Sequence, residues 1–431
     1  MPKSLLLKLL KIFSRQIIKK YQPRIIGITG SIGKSSAKEA VVAVLKTRFN
    51  LRGNYKNFNN EIGLPLTIIG WEKSPGRSVF GWLVVFVHAC RLLIFTDKNY
   101  PEVLVLEMGS DKPGDISYLT GIAPPEVGIL TNIGEAHIEA FKTVKAITRE
   151  KAIIFSRLPA IGCALVNFDN AFVMEAVLKI KAKVITYGFN KGADFQATDI
   201  KIVTDATDGW PVGINFKLIH AGSVVPIFLP GQIAEYLIYS VLAGVAAGSV
   251  FGMNLVSAGH AVSGMKLLPG HMCLVPGIKK TLIIDDTYNS SPEAVKSALV
   301  AISKIQLATG ARHYAVLGDM LELGEATSSL HREIGFKVAE SSIDFLITIG
   351  EAGKHTAAAA REAGLSDNQV ASFATSSEAG KFLQEKLKAG DVVLVKGSQG
   401  IRAEKVVKEV MAEPLLASAL LARQGVEWRG I

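Results

Sequence analysis

Residues 25–38 read Ile-Ile-Gly-Ile-Thr-Gly-Ser-Ile-Gly-Lys-Ser-Ser-Ala-Lys, an apolar run that breaks into glycines and ends in Gly33-Lys34-Ser35. Such a segment predicts a buried strand, a tight loop and a helix in immediate succession. Glycines let the backbone turn its N–H groups toward a polyphosphate. The lysine adds a point charge, and the hydroxyl after it is placed to ligand Mg²⁺. The start of the helix contributes its dipole. The standard phosphate loop wants a glycine five residues before Gly33, where this chain has Ile28; here glycines recur every three residues, at Gly27, Gly30 and Gly33. The bland alternative is a strand-to-helix turn that happens to precede a lysine. A phosphate cradle accounts for the lysine and hydroxyl together, so a nucleoside triphosphate is the expected ligand.

The length of 431 residues gives room for about two or three domains. A formal net charge of +10 suits an anionic partner. No aromatic-interleaved basic patch or helix-turn-helix pattern accompanies that charge, so nucleic acid is not an expected partner. Cys90, Cys163 and Cys273 stand alone in apolar stretches, without zinc spacing or a disulfide framework. They read as buried small hydrophobes in a reducing cytosol.

Residues 4–20 place Leu5, Leu6, Leu9, Leu10, Phe13 and Ile17 on one helical face, interleaved with Lys8, Lys11, Arg15, Lys19 and Lys20. This basic amphipathic helix suits either an anionic membrane surface or the protein's own core. A second apolar run, 79–95, includes Trp82, His88 and Arg91. It sits at the short limit for a span and holds a charge, so a buried or interfacial helix is expected.

From residue 24 strands and helices alternate, which predicts an α/β protein with parallel sheets. The strands at 24–28, 103–107 and 127–130 each end in polar residues, as the catalytic edges of such sheets do. Residues 188–230 are Asp-, Thr- and Gly-rich with short alternations, and predict a small antiparallel β insertion. An Ala-rich helix follows over 233–250, then a linker near Pro269-Gly270. A second βα series has strands at 281–286, 314–318, 345–350 and 391–397, and helices at 292–303, 326–340, 352–363 and 376–388. The expected organisation is a basic helix (1–23), a nucleotide-binding central domain (24–268), a doubly wound, Rossmann-like domain (269–413) and a tail (414–431).

Glu107 ends its strand beside the loop, where a carboxylate serves Mg²⁺ or is simply solvated. His137, in Thr131-Asn132-Ile133-Gly134-Glu135-Ala136-His137, reads as a metal ligand, a hydrogen-bond donor or a surface histidine. Lys151 is by spacing an ordinary helix lysine. Asn57, Asn59 and Asn60 make a polar turn. Asp285-Asp286-Thr287-Tyr288-Asn289-Ser290-Ser291-Pro292 ends one strand of the second series and starts a helix. Leu317-Gly318-Asp319-Met320-Leu321-Glu322-Leu323-Gly324 and Val395-Lys396-Gly397-Ser398 fall on the same edge.

Taken together, these motifs resemble the Mur ligase family of peptidoglycan-precursor enzymes over about residues 24–412. The pieces that carry the likeness are Gly27-Ile28-Thr29-Gly30-Ser31-Ile32-Gly33-Lys34-Ser35-Ser36, Asn59-Asn60-Glu61-Ile62-Gly63-Leu64-Pro65-Leu66-Thr67, Leu106-Glu107-Met108-Gly109 and the Asp285 and Asp319 segments. The last two favour the branch that adds D-alanyl-D-alanine. The resemblance implies that ATP phosphorylates a peptide carboxylate and that an amine then attacks the acyl phosphate. Gly30, Ser31, Gly33, Lys34, Ser35 and Ser36 would hold ATP with Asn289 and Asp319. Ser35 and Glu107 would hold one Mg²⁺, and His137 a second together with Lys151 as an N6-carboxylysine. Lys34, Lys151 and His137 would be catalytic, and Asn59 and Asn60 would meet the sugar-peptide. The partners implied are a peptidoglycan precursor peptide and D-alanyl-D-alanine, in the cytoplasm; the basic amphipathic pattern of residues 4–20, apart from the resemblance, adds an expected peripheral contact with the inner membrane face.

Several positions depart from the family pattern. Ser31 and Ile32 replace Thr-Asn, Lys151 is followed by Ala-Ile-Ile, Gln232 stands near a usual histidine, and His271 replaces an arginine. About 24 residues precede the loop where the family carries a UDP-binding domain, so the usual grip on UDP is expected to be missing. Two other readings stay open: a folylpolyglutamate-synthase-like ligase, and a catalytically weak nucleotide-binding partner at a membrane.

Overall fold

The computed structural model describes residues 2–428 apart from 56–57, 135–137, 179, 208, 266–267 and 426–427. The first nine strands, in chain order, are β1 (Arg24–Thr29), β2 (Leu51–Gly53), β3 (Val103–Glu107), β4 (Val127–Leu130), β5 (Cys163–Asn167), β6 (Lys183–Gly188), β7 (Phe195–Thr204), β8 (Pro211–His220) and β9 (Ser223–Pro230). They form one sheet in the order β2-β3-β1-β4-β5-β6-β7-β8-β9. The strands β1, β3 and β4 pair in parallel at its centre. Their continuous apolar sequences follow from burial on both faces.

Ten helices accompany this sheet: α1 (Lys3–Tyr21), α2 (Lys34–Leu45), α3 (Gly63–Ile69), α4 (Val79–Ile94), α5 (Asp115–Ile122), α6 (Ile138–Phe141), α7 (Val144–Ser156), α8 (Ala171–Val177), α9 (Tyr236–Val250) and α10 (Leu255–Ser263). One face of the sheet packs on α2, α9 and α10 through Val41, Val44, Val241, Val245 and Val262. The other packs on α1, α3, α4, α5 and α7 through Leu10, Leu66, Val85, Leu119 and Ile154.

Two expectations change here. The strands within 188–230 are antiparallel to one another, but β7 pairs in parallel with β6 at Tyr187–Phe195, so they extend the main sheet. Their alternating apolar side chains, Phe195, Ala197, Ile214, Phe216 and Leu218, join the same core as β1 and β4. The apolar face of α1 is spent on the protein's own core, where Leu6, Leu10 and Ile17 are buried at about 1.5–3 kcal/mol each. Leu5, expected on that face, is exposed. The run at 79–95 forms α4, which buries Trp82, Val85, Ala89 and Leu92 and leaves its other side open. Among the described residues no helix is long and apolar enough to cross a membrane.

The second sheet contains β10 (Cys273–Gly277), β11 (Thr281–Asp286), β12 (His313–Gly318), β13 (Phe345–Ile349), β14 (Val370–Phe373) and β15 (Val392–Lys396), in the order β10-β11-β15-β12-β13-β14. All its pairings are parallel except β10 with β11. Its helices are α11 (Pro292–Ser303), α12 (Thr327–Glu340), α13 (Gly353–Glu362), α14 (Ser376–Lys386) and α15 (Glu404–Val410). The segment at Pro269-Gly270 also packs as part of the site, because Tyr288 N–H donates to Gly270 O at 3.0 Å.

The loop at residues 30–33 runs straight into α2, which packs closely on α9. A Cβ on Gly244 would come within 2.8 Å of the Ala40 carbonyl carbon and Cβ, so only glycine allows this helix spacing. Gly244→Val should destabilise the fold by about 1–3 kcal/mol through overpacking, read as a lower Tm. An unchanged Tm would mean the two helices are not held this closely.

Candidate active site

The carboxyl edges of the two sheets face one cleft of about 800 Å³. It is lined on one side by Ser31, Gly33, Lys34, Ser35 and Ser36, and on the other by Asp286, Tyr288, Asn289 and Lys396.

The loop's conformation follows from its glycines. Gly33 has φ 83°, and a Cβ on Gly30 would collide with the Thr131 hydroxyl. Ser31 ties the loop to the β4 tip: its N–H donates to Asn132 O at 2.6 Å, and its hydroxyl accepts from Gly134 N–H at 3.2 Å. Lys34 Nζ donates to Gly30 O at 2.8 Å. Burial pulls its ammonium below the usual range, against the attraction of Glu107 and Asp111.

Glu107 is the hub. Its Oε2 accepts from the Ser35 hydroxyl at 2.9 Å, and its Oε1 accepts from Asn59 Nδ2 at 2.9 Å. Its backbone N–H donates to Asn54 Oδ1. Asn59 is fixed in turn by Gly109 N–H, which donates to its carbonyl at 2.8 Å. Asn60 also lines the cleft, and its Oδ1 accepts from Gly63 N–H at 2.9 Å where α3 begins.

Lys151, on α7, is buried just behind this wall. Its Nζ donates to Ser110 Oγ at 3.0 Å, and Ser110 lines the cleft. Burial first, then the charge of Lys34, lowers its pKa to about 7, despite Glu150 and Asp111. Its neighbour Glu150 accepts from Gly114 and Ile116 N–H at 2.9 and 2.8 Å, which pins α7 to the start of α5. His137 lies outside the described residues.

Across the cleft, Lys396 Nζ meets Asp286 Oδ2 at 2.6 Å and donates to Asn289 O at 2.9 Å, with both charged groups buried. Asp285 Oδ1 accepts from the Thr287 hydroxyl at 2.6 Å, which shapes the turn presenting Tyr288 and Asn289. Burial pushes the Asp285 carboxyl up to about 6. His271 packs on Tyr288 with ring centroids 4.5 Å apart, and burial lowers its pKa.

Asp319 does not join this group. Its Oδ1 accepts from Gly353 N–H at 2.7 Å, at the start of α13, and it is not among the residues lining the cleft. Sequence reasoning gave no role to Asn54, Ser110, Lys396 or the α9 residues Tyr236, Tyr239 and Ser240, of which all but Asn54 line the cleft. The position of Lys396 at a strand tip was a usable signal. The other five gain meaning only from their neighbours.

The comparisons with known proteins agree with this geometry. Residues 89–248 match the Mur ligase middle domain, and residues 272–399 match the Mur ligase, glutamate ligase domain. The UDP-N-acetylmuramoyl-tripeptide–D-alanyl-D-alanine ligase of Bacillus subtilis (strain 168) is 29% identical over 396 residues, covering 91% of this chain and 77% of that protein. Its counterpart in Escherichia coli (strain K12) is 27% identical over 388 residues, covering 89% and 76%. The MurF ligase of Thermotoga maritima, solved in complex with ADP, superposes with a TM-score of 0.77 at 25% identity, over 95% of this chain and 84% of that one. The two matched domains fall on the two sheets that face the cleft, and the chain belongs to the Mur ligase family of ATP-dependent ligases.

Proposed function

We propose that this chain joins D-alanyl-D-alanine to the carboxylate of a muramoyl-tripeptide peptidoglycan precursor through an acyl phosphate. The observation that carries the reading is the Ser35–Glu107–Asn59 chain beside Lys34, facing Asn289 and Lys396 over one cleft. The amine and peptide are taken from the names of the relatives in B. subtilis and E. coli.

A carboxylate is a poor electrophile at neutral pH. Its oxygen attacks the γ-phosphoryl group of ATP, ADP leaves, and the acyl phosphate gains a good leaving group. The amine then adds to the carbonyl carbon, loses a proton, and the tetrahedral intermediate expels phosphate to leave the amide. Lys34 and the loop N–H groups would stabilise charge on the transferred group. The Ser35 hydroxyl and the Glu107 carboxylate, 2.9 Å apart, are hard oxygen donors of the kind Mg²⁺ takes. Bound there, the ion would neutralise phosphate charge. The Glu107 carboxylate also holds the Asn59 amide, which would meet the peptide.

Lys151 suits carbamylation. An amine with pKa about 7 is substantially neutral near physiological pH, and the neutral amine is the form that adds CO₂. The product is an anion, which would serve a second Mg²⁺ together with His137. On the C-terminal side Asn289 is the nucleotide-facing residue that lines the cleft; Asp319 lies outside the lining, with its Oδ1 on Gly353 N–H. We place the reaction in the cytoplasm, at the inner membrane face, with the basic side of residues 4–20 toward the lipid.

Phosphate release with a muramoyl tripeptide, with and without its UDP, should require both ATP and D-alanyl-D-alanine. Turnover with glutamate and a folate, but none with D-alanyl-D-alanine, would replace this reading with a folylpolyglutamate-type ligase. ATP binding without amine-dependent phosphate release would replace it with a nucleotide-binding partner. Lys34→Ala should cost on the order of a hundred- to a thousandfold in kcat, as the loss of one transition-state charge donor does.

The carbamate has its own signature. With ¹³C-labelled CO₂ at pH 8, wild-type protein should give a carbamate carbon resonance that Lys151→Ala lacks. Because Lys151 binds its proton as pH falls through about 7, the resonance and the activity should both fade below that value. A resonance that persists in Lys151→Ala would assign the modification elsewhere.

A further inference from the structure

The side of α4 that the core does not use is almost wholly apolar. Phe80, Leu83, Val87 and Ile94 follow helical spacing along it, and Phe95 continues it; Phe80, Val87 and Ile94 are 75%, 60% and 72% exposed. At 1.5 Å per residue the stripe is about 24 Å long. Arg91 is the one charged side chain on this helix, and no carboxylate occurs in residues 79–95.

The helix is fixed in place. Trp82 Nε1 donates to Gly76 O at 3.0 Å near its start. Near its end, Lys20 Nζ donates to the carbonyls of Leu92 and Phe95 at 2.9 and 2.8 Å, and Tyr21 OH donates to Leu92 O at 2.9 Å. With Phe13 packed on Phe86 at 5.4 Å, these contacts set α1 alongside α4, running the same way. The exposed side of α1 carries Leu5, Lys8, Ile12, Arg15 and Lys19. This helix contains six Lys and Arg and no acid. Among the described residues Lys8, Arg15 and Lys19 form no ion pair.

We propose that α4 is a docking helix that lies in the headgroup–acyl boundary of an anionic lipid bilayer, with α1 as its cationic flank. Stable peripheral binding takes two signals, an inserted apolar face and a basic patch, and this surface supplies both. Arg91 reaches back to the headgroups by its long stem, as cations at such depths do. A second copy of this chain is a poorer occupant. A two-fold contact through this face would bring the α1 cations together, with no carboxylate on either helix to neutralise them. The proposal takes the membrane contact suggested for residues 4–20 and assigns its apolar part to α4. It does not depend on the ligase reading, which phosphate release without vesicles tests separately.

The test is sedimentation of the full chain with phosphatidylcholine vesicles, with and without phosphatidylglycerol. Wild type should pellet with the anionic vesicles and stay in solution with the neutral ones. Phe80→Ser/Leu83→Gln/Val87→Gln and, separately, Lys8→Glu/Arg15→Glu/Lys19→Glu should each weaken binding at least about tenfold, with Tm and vesicle-free phosphate release unchanged. Equal binding of either variant and wild type overturns the proposal, as does equal binding to both lipids. A wild-type dimer that the apolar variant converts to a monomer, with no lipid binding by either, would give the face to a second copy instead.

Discussion

The carboxylate of Glu107 is where the loop, the central sheet and the turn at Asn59 meet. One oxygen takes the Ser35 hydroxyl and the other takes the Asn59 amide, while Asn54 holds the backbone from the side. A buried carboxylate is expensive unless its lone pairs are occupied. Here each oxygen accepts from a group on a different segment, Ser35 on α2 and Asn59 in the loop before α3. The side chain therefore sets the distance between α2 and the loop before α3, and with it the width of the cleft floor. Removing Asn59 or Ser35 would leave a buried charge short of a partner, which costs more than the lost hydrogen bond itself.

The opposite wall uses a different device. Asp286 and Lys396 form a buried pair at the tips of the adjacent strands β11 and β15. The pair contributes little net stability once desolvation is counted. Its use is positional: the lysine also donates to Asn289 O, which fixes the turn that faces the phosphate loop. Arg423 supports the same turn from behind, donating to Thr287 O at 3.1 Å while paired with Glu404 at 3.0 Å. The tail beyond residue 413, which sequence reasoning left without a role, thus braces a loop of the candidate site.

Much of this was legible because parallel strands write themselves plainly. The runs at 103–107, 127–130 and 281–286, and the helix at 292–303, fall where the apolar pattern and the Ser291-Pro292 start placed them. The glycine rhythm marked the loop that lines the cleft, and the strand-end rule marked Glu107 beside it. What residue type and spacing alone did not carry depends on contacts distant in sequence. Lys151 looks like any helix lysine until α7 carries it under Ser110 and beside Lys34. Asp319 sits in a strand-end motif, but α13 starts close enough to claim its carboxylate. The strands β7 to β9 carry the alternation of an independent antiparallel unit, and the short parallel pairing of Tyr187 and Gly188 with Phe195 and Gln196 joins them to the main sheet.

The fate of α1 makes the same point from the side of charge. Its sequence is amphipathic enough for a bilayer, yet Leu6, Leu10 and Ile17 are buried inside the protein. Docking on the core does not neutralise the helix: Lys8, Arg15 and Lys19 stay exposed on it, and it packs beside α4, whose own apolar side is exposed. Each helix alone is ambiguous, since a basic amphipath can be a core helix and an apolar 16-residue helix can be a buried one. Packed together they form one surface, apolar on α4 and cationic on α1. The physical meaning of that surface belongs to the pair.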